Sequence, residues 1–550
     1  MMNAIGEVST VQTIPQALRK AAEQWPDQEA LVIRGERVSY AELLARTQSA
    51  AANLYRLGLR PGDHFAICAS NRTEWVVAAY AAAWLGAVVV PVNTRFKADE
   101  LSYCLRQSDS CMLLIEDRFL SIDFMAMLRS VAPALDMALP DPALPKLRTV
   151  LVLGQDVPAA ALSATELERT DVPPAPKEVA PTKRDAVLMQ YTSGTTSFPK
   201  GVLLCHESMV LDAWHAGRRM GLRAGDRYFS GRPLFHVSGT TLSMLASLLA
   251  GACYLTTPSF DVAKVIEIME TENCTMTSAN DTMFQMLMAH SSFKPERLSL
   301  RGGLIICTPE IARQVMSKLG MPDLCTGYGL SEASPNVALS PYDDVLEKRI
   351  AGYAFPLPGL EVSIFDPDDG TRRGPNEPGE IRVRGWALML GYYKMPEATA
   401  QAIDAEGWLH TGDLGVADAD GRIRFVDRLK DMFRVGGENV APADIENVLN
   451  QHPAVRHSQV VGVPDPRRGE VAAAFVIIQS GHQVDEETLI AWCAERCAGF
   501  KVPRYIRFVD SFDNIGMTGS AKIQRNRLRE YAIKVLDLTS GTSMQAKDTV

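Results

Sequence analysis

The chain has 550 residues, of which 47% are apolar and 22% are charged. This balance is typical of globular proteins, and the length exceeds what one hydrophobic core supports, so at least two domains are expected. The formal net charge of -9 argues against a general nucleic-acid surface, which needs clustered lysine and arginine. A phosphorylated small molecule needs only local positive charge and backbone N–H donors, so such a ligand is not excluded.

The ten cysteines are spread along the chain without a Cys-x-x-Cys pair or a neighbouring histidine cluster. Cys493 and Cys497 are the closest pair, and their spacing of one helical turn is more typical of ordinary positions than of a metal site. We therefore expect no structural zinc and a reducing compartment, the cytoplasm. Residues 1–16 contain Glu7 and lack the succession of basic, apolar and small residues of a secretory signal, so none is predicted.

The first 180 residues alternate helical and strand patterns, which predicts layered α/β architecture. Apolar residues recur at helical spacing from Tyr40 to Leu57, and Gly58 can end that helix. A Pro-Gly-Asp turn then leads into the apolar run 65–68, which is typical of a short buried strand.

The stretch 76–92 contains no charged residue. It is short for a bilayer crossing and is interrupted by Gly86 and Pro91. A buried alanine-rich helix that leads into a buried strand at 88–90 is therefore predicted, and no integral membrane segment is expected.

The middle of the chain repeats the α/β pattern. Residues 261–272 carry apolar side chains on one helical face, and 304–306 form an apolar run that predicts a buried strand. From about Gly359 the pattern changes to glycine-rich turns between β-type runs, such as 380–384 and 421–425.

A smaller unit begins after Lys430, with a helix predicted near 443–451 and an apolar strand at 472–478. We place the domain boundary within 428–431. The predicted architecture is α/β, with a large N-terminal domain over residues 1–428 and a small α+β C-terminal domain over residues 429–550. The large domain would combine layered α/β subdomains with a β-rich subdomain.

The strongest local signal lies at residues 191–201, which read YTSGTTSFPKG. The preceding apolar run 187–189 predicts a strand that delivers the chain into a loop of small hydroxyl residues. The N–H and hydroxyl groups of such a loop suit a polyphosphate, and Lys200 supplies a mobile positive charge. The segment does not have the Gly-x-x-x-x-Gly-Lys pattern of P-loop enzymes. On these residues alone, a flexible surface loop is the alternative interpretation.

This segment resembles the phosphate loop of the adenylate-forming superfamily, which includes acyl-CoA synthetases, peptide-synthetase adenylation domains and beetle luciferases. Ser197 stands where the family usually has glycine, which removes backbone freedom at one position. The resemblance implies that the nucleotide phosphates are bound by Thr192, Ser193, Gly194, Thr195, Thr196 and Lys200.

Residues 328–332, which read YGLSE, look like the family's aromatic-Gly-x-Thr/Ser-Glu segment. The resemblance implies that Tyr328 lies against the adenine, with Gly329 beside it in the nucleotide site. It further implies that Ser331 contacts phosphate and that Glu332 helps to hold Mg²⁺. The chemistry agrees, because a hard cation prefers a carboxylate oxygen alongside the nucleotide's own phosphates.

Residues 407–413, which read GWLHTGD, resemble the family element whose aspartate accepts hydrogen bonds from the ribose hydroxyls. That residue here is Asp413, and a carboxylate can accept from two neighbouring hydroxyls. Residues 427–431 look like the family hinge, which implies that Arg428 contacts the nucleotide and that Lys430 is the pivot. The wall of the pantetheine tunnel would include Gly436 and Gly437.

Residues 518–525 resemble the loop that carries the adenylation lysine, here Lys522, and Ala521 stands where the family usually has glycine. His236 lies in the segment RPLFHVSG, which matches a family segment that lines the carboxylate and acyl pocket. The residues expected to act on the reacting groups are Lys522, Thr192, Glu332 and His236.

Two segments depart from the family pattern near the expected acyl and adenine pocket. Residues 280–283 read NDTM where the family often has Val-Pro-Thr-Met. Residues 306–309 read ICTP where the family often has a Gly-Gly-Ala turn. Both departures bear on which acid is accepted.

The resemblance covers nearly the whole chain and implies an acyl-CoA synthetase that uses ATP, CoA and Mg²⁺. The expected substrate is a medium-chain, long-chain or related hydrophobic carboxylic acid. The alternatives are an aryl or polycyclic, steroid-like acid and an adenylation enzyme that loads a carrier protein. A non-catalytic adenylate-binding or luciferase-like protein is the alternative from another class, and a homodimer is left open.

Overall fold

The computed structural model describes residues 11–176, 179–192, 199–435, 438–516 and 523–538. The chain divides between two compact units, Met1–Val362 with Val383–His410 and Ser363–Arg382 with Thr411–Val550. The sequence predicts that a small mobile domain begins at residue 429. That boundary stays a prediction.

The helices and strands are numbered in chain order. The α-helices are α1 Ile14–Gln24, α2 Tyr40–Arg56, α3 Thr73–Trp84, α4 Ala98–Gln107, α5 Phe124–Val131, α6 His206–Arg219, α7 Ala246–Ala250, α8 Val262–Thr271, α9 Asp281–Ala289, α10 Pro309–Lys318, α11 Leu346–Ile350, α12 Pro396–Ala402, α13 Pro442–Leu449, α14 Glu486–Ala494, α15 Asp513–Gly516 and α16 Arg525–Val535. A π-helix, Ser238–Leu245, precedes α7, and short 3-10 turns lie at Pro133–Asp136, Ala164–Glu168, Pro295–Arg297, Ser331–Ala333 and Leu429–Asp431.

The strands are β1 Glu29–Ile33, β2 Glu36–Ser39, β3 His64–Cys68, β4 Val88–Pro91, β5 Met112–Glu116, β6 Arg118–Phe119, β7 Ile122–Asp123, β8 Thr149–Leu153, β9 Leu162–Ser163, β10 Ala186–Thr192, β11 Lys200–Cys205, β12 Arg227–Ser230, β13 Cys253–Thr256, β14 Met276–Ser278, β15 Gly302–Leu304, β16 Asp323–Cys325, β17 Gly327–Gly329, β18 Asn336–Leu339, β19 Phe355–Pro356, β20 Leu360–Phe365, β21 Gly379–Gly385, β22 Gly391–Tyr392, β23 Leu409–Ala417, β24 Ile423–Arg428, β25 Phe433–Val435, β26 Glu438–Val440, β27 Val455–Asp465, β28 Gly469–Ile478 and β29 Tyr505–Phe508.

Two large sheets organise the first unit. Sheet A has the order β16-β15-β14-β12-β13-β1-β2 and is parallel except for its last pair. Sheet B has the order β22-β11-β10-β4-β3-β5-β8-β9, in which β11 and β22 run antiparallel to their neighbours. A smaller antiparallel sheet, β17-β18-β19, follows sheet A in the chain. The layered α/β architecture predicted from the sequence is confirmed.

The uncharged stretch 76–92 forms the buried helix α3 and the central strand β4 of sheet B. Val88, Val89 and Val90 are all buried, as expected for a parallel strand with both faces covered. The structure thus confirms the predicted helix and strand. Among the described residues, no helix has the length and apolar character needed to cross a membrane.

The apolar run 304–306 was expected to be a strand, and this prediction is only partly right. Strand β15 ends at Leu304, and Ile305 is still buried. Ile306 has left the sheet and is 48% exposed, because the chain turns there towards α10, which begins at Pro309. The end of an apolar run does not show where the hydrogen bonds between strands stop. A strand ends where the strands beside it end.

Sheet β20-β21-β23-β24 carries the chain into the second unit, whose other sheet has the order β26-β25-β28-β27 with β29 beside β28. Alternate residues of the long β27–β28 hairpin face opposite sides. Val460 and Ala472 belong to a cluster with α13 and α14, whereas Val461 and Ala473 pack towards α16. The pleat therefore supports helices on both faces of one sheet, which is the α+β arrangement predicted for the small domain.

Candidate active site

Strands β10 and β11 hold the two ends of the predicted phosphate loop together. Thr192, the last residue of β10, is the register partner of Lys200, the first residue of β11. The antiparallel ladder therefore fixes the point where the loop leaves and re-enters sheet B. The loop itself, with Ser193, Gly194, Thr195, Thr196 and Ser197, lies outside the described residues.

A tyrosine joins two of the predicted site residues. The ammonium Nζ of Lys200 lies 4.7 Å from the centroid of the Tyr392 ring, within the range of a cation–π contact. The hydroxyl of the same tyrosine donates a hydrogen bond of 2.9 Å to Oε1 of Glu332. Burial, and then the negative charge of Glu332, raises the pKa of Tyr392 well above its usual range, so the hydroxyl stays a donor.

The main chain around Tyr392 is fixed by sheet B. Tyr392 pairs with Val202 across β22 and β11, and the following residue, Tyr393, donates its N–H to the carbonyl of Gly201 at 2.8 Å. The N–H of Tyr392 donates a hydrogen bond to the hydroxyl of Thr399 at 2.9 Å. Sequence reasoning missed Tyr392, because its role depends on a pairing between segments that are almost 200 residues apart.

The turn that carries Ser331 and Glu332 is held from both sides. Tyr328 is buried in β17, and a side chain at Gly329 would place a Cβ only 2.0 Å from the carbonyl oxygen of Pro335, so glycine is required there. After the turn, Asn336 gives two hydrogen bonds to the buried carboxyl of Asp212 in α6, from its main-chain N at 2.8 Å and its side-chain Nδ2 at 2.6 Å.

His236 lies just before the π-helix, a type of helix that is frequent at functional sites. Its Nδ1 accepts the main-chain N–H of Ser238 at 3.1 Å and lies 2.8 Å from the hydroxyl of that serine. Because Nδ1 accepts a backbone N–H, the neutral ring carries its proton on Nε2. A Cβ at Gly239 would lie 2.2 Å from the carbonyl oxygen of Pro233, so only glycine allows this tight turn.

Two buried amide side chains, which we term the amide pair, hold the segment before His236. Asn71 accepts the N–H of Leu234 at 2.8 Å and donates to the carbonyl of Arg232 at 3.1 Å and to the Thr256 hydroxyl at 2.8 Å. Gln190, two residues before Thr192, donates to the carbonyl of Phe235 at 3.1 Å. Gln190 therefore connects this segment to β10 of sheet B, and Asn71 connects it to the chain between β3 and α3. No motif in the sequence indicated the amide pair.

In the second unit, Asp413 and Arg428 are register partners on β23 and β24. The Nε of Arg428 lies 3.6 Å from Oδ1 of Asp413, whose side chain is largely buried. The N–H of Asp413 donates to the hydroxyl of Thr411 at 3.1 Å. The structure thus brings together the two residues of this unit that were expected to contact the nucleotide.

Arg525 forms a buried ion cluster that sequence reasoning also missed. Its Nη1 lies 2.6 Å from Oδ1 of Asp427, the residue before Arg428, and its Nη2 lies 2.9 Å from Oε2 of Glu446. Burial raises the pKa of the Glu446 carboxyl, and the charge of Arg525 acts in the opposite direction. The cluster joins the end of β24, helix α13 and the start of α16.

Lys522, Gly436 and Gly437 lie outside the described residues.

Among the described residues, no group of three or more His, Cys, Asp or Glu side chains could hold a metal ion. A site made by the protein alone, such as a structural zinc site, is therefore not found in that part of the chain. Glu332 fits the other way of holding Mg²⁺, in which one or two carboxylates act with phosphates of the substrate. All ten cysteines are free.

Comparisons with known proteins agree with the motif order. The model of the AMP-binding enzyme family matches residues 18–393, and that of the AMP-binding enzyme C-terminal domain matches residues 444–522. The putative acyl-CoA synthetase YngI of Bacillus subtilis is 37% identical over 96% of this chain and 98% of its own. The mitochondrial medium-chain acyl-CoA ligase ACSF2 of Bos taurus is 32% identical over 96% of this chain and 88% of its own.

A third relative, from Rhodococcus jostii, is named 3-[(3aS,4S,7aS)-7a-methyl-1,5-dioxo-octahydro-1H-inden-4-yl]propanoyl:CoA ligase. It is 36% identical over 94% of this chain and 98% of its own. Among solved structures, the anthranilate CoA ligase AuaEII in complex with anthranoyl-AMP superposes with a TM-score of 0.85 at 25% identity. That match covers 96% of this chain and 98% of the other.

Proposed function

The chain belongs to the AMP-binding enzyme family, and from this premise we propose how its residues divide the work of an acyl-CoA synthetase. It is an AMP-forming acid–CoA ligase that uses ATP and coenzyme A, with Mg²⁺ as the metal standard for the family. The observation that supports the residue assignment best is the chain of contacts from Lys200 through Tyr392 to Glu332.

In the first half-reaction, an oxygen of the substrate carboxylate attacks the α-phosphorus of ATP. The bond from this phosphorus to the oxygen that bridges to the β-phosphate breaks, and pyrophosphate leaves. Two anions must meet, so positioning and charge neutralisation provide most of the acceleration. We assign the positive charges to Lys200 at the phosphate loop and Lys522 in the C-terminal loop, with Thr192 and Ser331 as hydroxyl donors to phosphate.

Glu332 is the carboxylate that we assign to Mg²⁺, which neutralises phosphate charge when it is bound. The Tyr392 hydroxyl donates to one oxygen of this carboxylate at 2.9 Å, which fixes the direction of the carboxylate. We assign Tyr328 and Gly329 to the adenine.

His236 is assigned to the substrate carboxylate. Its Nδ1 accepts a hydrogen bond from the N–H of Ser238, so the neutral ring carries its own N–H at Nε2. A carboxylate can accept a hydrogen bond from this N–H. Gln190 would keep this ring at a fixed distance from Thr192, because it bonds the carbonyl of Phe235 and lies on β10, the strand that ends at Thr192. Asn71, the other member of the amide pair, would hold the same segment against the chain between β3 and α3.

Asp413 and Arg428 are assigned to the ribose and the nucleotide. The guanidinium beside Asp413 would hold the direction of that carboxylate, which can accept two hydroxyl hydrogens.

In the second half-reaction, the sulfur of coenzyme A attacks the acyl carbonyl carbon, the carbon–oxygen bond to AMP breaks, and the thiol proton passes to solvent. Gly436 and Gly437 are assigned to the tunnel for the pantetheine arm. Lys522 is needed only in the first half-reaction, and the pantetheine tunnel is needed only in the second. We therefore infer that residues 429–550 rotate about Lys430 between the two.

The proposed acid is hydrophobic, of medium or long chain or of a related kind, and a polycyclic or aryl acid is the second candidate. The names of the relatives support both, since one is a medium-chain ligase and another acts on a bicyclic propanoate. Apolar side chains beside Gly231, five residues before His236 in the sequence, agree: a Cβ on Gly231 would meet the Phe260 ring at 2.8 Å and the Met283 sulfur at 3.8 Å.

A panel of aliphatic, aromatic and polycyclic acids tests these proposals by pyrophosphate release and by AMP and thioester formation with and without CoA. An acyl-CoA synthetase gives acid-dependent pyrophosphate release and a thioester only when CoA is present. Pyrophosphate release without a CoA thioester favours loading of a carrier protein, and no release with any acid favours a non-catalytic protein.

Two further properties are proposed, a cytoplasmic location and a homodimer. The ten free cysteines agree with a reducing compartment, which fractionation of the source cells can test. Light scattering of the purified chain measures the oligomeric state. No nucleic-acid partner is proposed, because the net charge is -9.

A further inference from the structure

The Arg232 guanidinium makes few hydrogen bonds with the described residues. Its Nη2 donates to the carbonyl of Ala279 at 3.1 Å. Its Nε is shielded from solvent and has no hydrogen-bond partner among the described residues, and none of their carboxylates forms an ion pair with this side chain. Burial lowers the pKa of Arg232, and the interaction with Tyr228 acts in the opposite direction.

Other arginines of this unit show that such an arrangement is unusual. Arg349, which is buried and forms no ion pair with a carboxylate of the described residues, donates to three carbonyl groups, those of Asp344, Pro322 and Leu324. Arg301 is paired with Asp226 at 2.6 Å. Arg232 is only partly buried, but its Nε is shielded from solvent. A cationic donor that is shielded in this way without a partner is costly, so it indicates a group that arrives from outside the chain.

The position of Arg232 indicates where that group would come from. The residue follows β12 by two positions, and its guanidinium reaches Ala279, the first residue after β14. Both strands end at the carboxyl edge of the parallel part of sheet A, which is where open α/β sheets bind ligands. His236, assigned above to the substrate carboxylate, is four residues further along the same segment.

The other side chains around this edge are apolar. Gly231 lies against Phe260 and Met283, which follow β13 and β14. Ile306, which follows β15, is 48% exposed. An acyl group that enters here would therefore meet apolar side chains and one cation.

We propose that Arg232 is a specificity-determining residue that donates a hydrogen bond to a second oxygen on the acyl group, remote from the reacting carboxylate. The preferred substrate is then a hydrophobic carboxylic acid that carries an additional acceptor oxygen, either a keto oxygen or a second carboxylate. This inference rests on the proposed function. It agrees with the name of the relative that is 36% identical, whose acyl group bears two oxo groups.

The experiment compares kcat/KM for octanoate, a series of mono-oxo octanoates and octanedioate, in the wild type and in Arg232→Met. In the wild type, at least one oxygen-bearing acid should exceed octanoate by about 10-fold or more, because a site built for an acceptor discriminates against analogues that lack it. Arg232→Met should reduce that ratio by about 10-fold while changing kcat/KM for octanoate by less than about 3-fold.

Each ratio is internal to one enzyme preparation, so loss of folded protein does not affect it. Arg349→Met is the matched control, a buried arginine bonded only to carbonyls, and it should leave the ratios unchanged. Comparison of the mono-oxo octanoates with octanedioate shows whether Arg232 prefers a neutral keto oxygen or an anionic carboxylate. Unchanged ratios in Arg232→Met, while octanoate is still activated, would overturn this inference alone; no activation of any acid would instead overturn the proposed function.

Discussion

At the residue scale, the site depends on side chains that position the expected catalytic groups. The hydroxyl of Tyr392 donates a hydrogen bond to Glu332, and its ring lies against the ammonium of Lys200. Asn71 holds two main-chain groups of the segment that leads to His236. Neither residue belongs to a motif read from the sequence, and each contacts a residue that does.

Tyr392→Phe removes the donor to Glu332 but keeps the ring beside Lys200. We expect kcat/KM for pyrophosphate release to fall roughly 10-fold, the scale of a hydrogen bond to a charged group, and the Mg²⁺ concentration for half-maximal rate to rise. Tyr393→Phe is the matched control, because its hydroxyl donates to Asp109 at 2.9 Å instead. Equal losses in both variants would show that the Tyr392 hydroxyl has no special role.

Asn71→Asp keeps the shape of the side chain and removes its donors to Arg232 and Thr256. The segment before His236 should loosen, so we expect KM for the acid to rise by about 10-fold and KM for ATP to change by less than about 3-fold. Asn53→Asp is the control, since Asn53 is a buried amide that donates to the carbonyls of Leu167 and Arg169 instead. A proportional rise of both KM values in Asn71→Asp would contradict a positioning role.

At the element scale, the second unit is tied together by one arginine. Arg525 joins β24, through Asp427, to α13, through Glu446. Arg525 is also the first residue of α16, three positions after Lys522 in the sequence, so the same cluster fixes the start of that helix.

Arg525→Met would leave Asp427 and Glu446 buried without their cation. We expect the free energy of unfolding to fall by about 3–5 kcal/mol, the scale of breaking a buried ion pair by removing one partner. Arg529→Met, on the same helix, removes a half-exposed pair with Glu470 and should cost less than about 1 kcal/mol. Denaturant unfolding compares the two, and similar losses would show that the cluster contributes no more than a surface pair.

At the scale of the whole molecule, the two half-reactions are proposed to need different placements of residues 429–550. Lys430 lies in the 3-10 turn Leu429–Asp431 that follows β24. A hinge residue must change its backbone angles, and proline fixes φ near -65° and restricts the residue before it.

Lys430→Pro should therefore retain one half-reaction and lose the other, and we expect adenylation to be the one retained. Lys430→Ala removes the side chain without restricting the backbone and should support both. Pyrophosphate release and single-turnover transfer from supplied acyl-adenylate to CoA are the two measurements. If both rates fall together in a folded Lys430→Pro protein, or neither changes, Lys430 is not the pivot.

The family, the order of its motifs and several of the helices and strands could be predicted from the sequence. This was possible because those signals are local: a buried helix and strand at 76–92, a hydroxyl-rich loop after a strand, an aspartate in GWLHTGD. Asp413 and Arg428 were both named from motifs, and the structure adds that they are cross-strand partners.

The side chains that support those motifs could be identified only in the folded chain. Tyr392 reaches Glu332 through the pairing of β22 with β11, Asn71 reaches Leu234 across 163 residues, and Arg525 reaches Asp427 across 98. The exposure of Ile306 likewise follows from where neighbouring strands end. Sheet register and burial are set by contacts between distant segments, so no local pattern of residues encodes them.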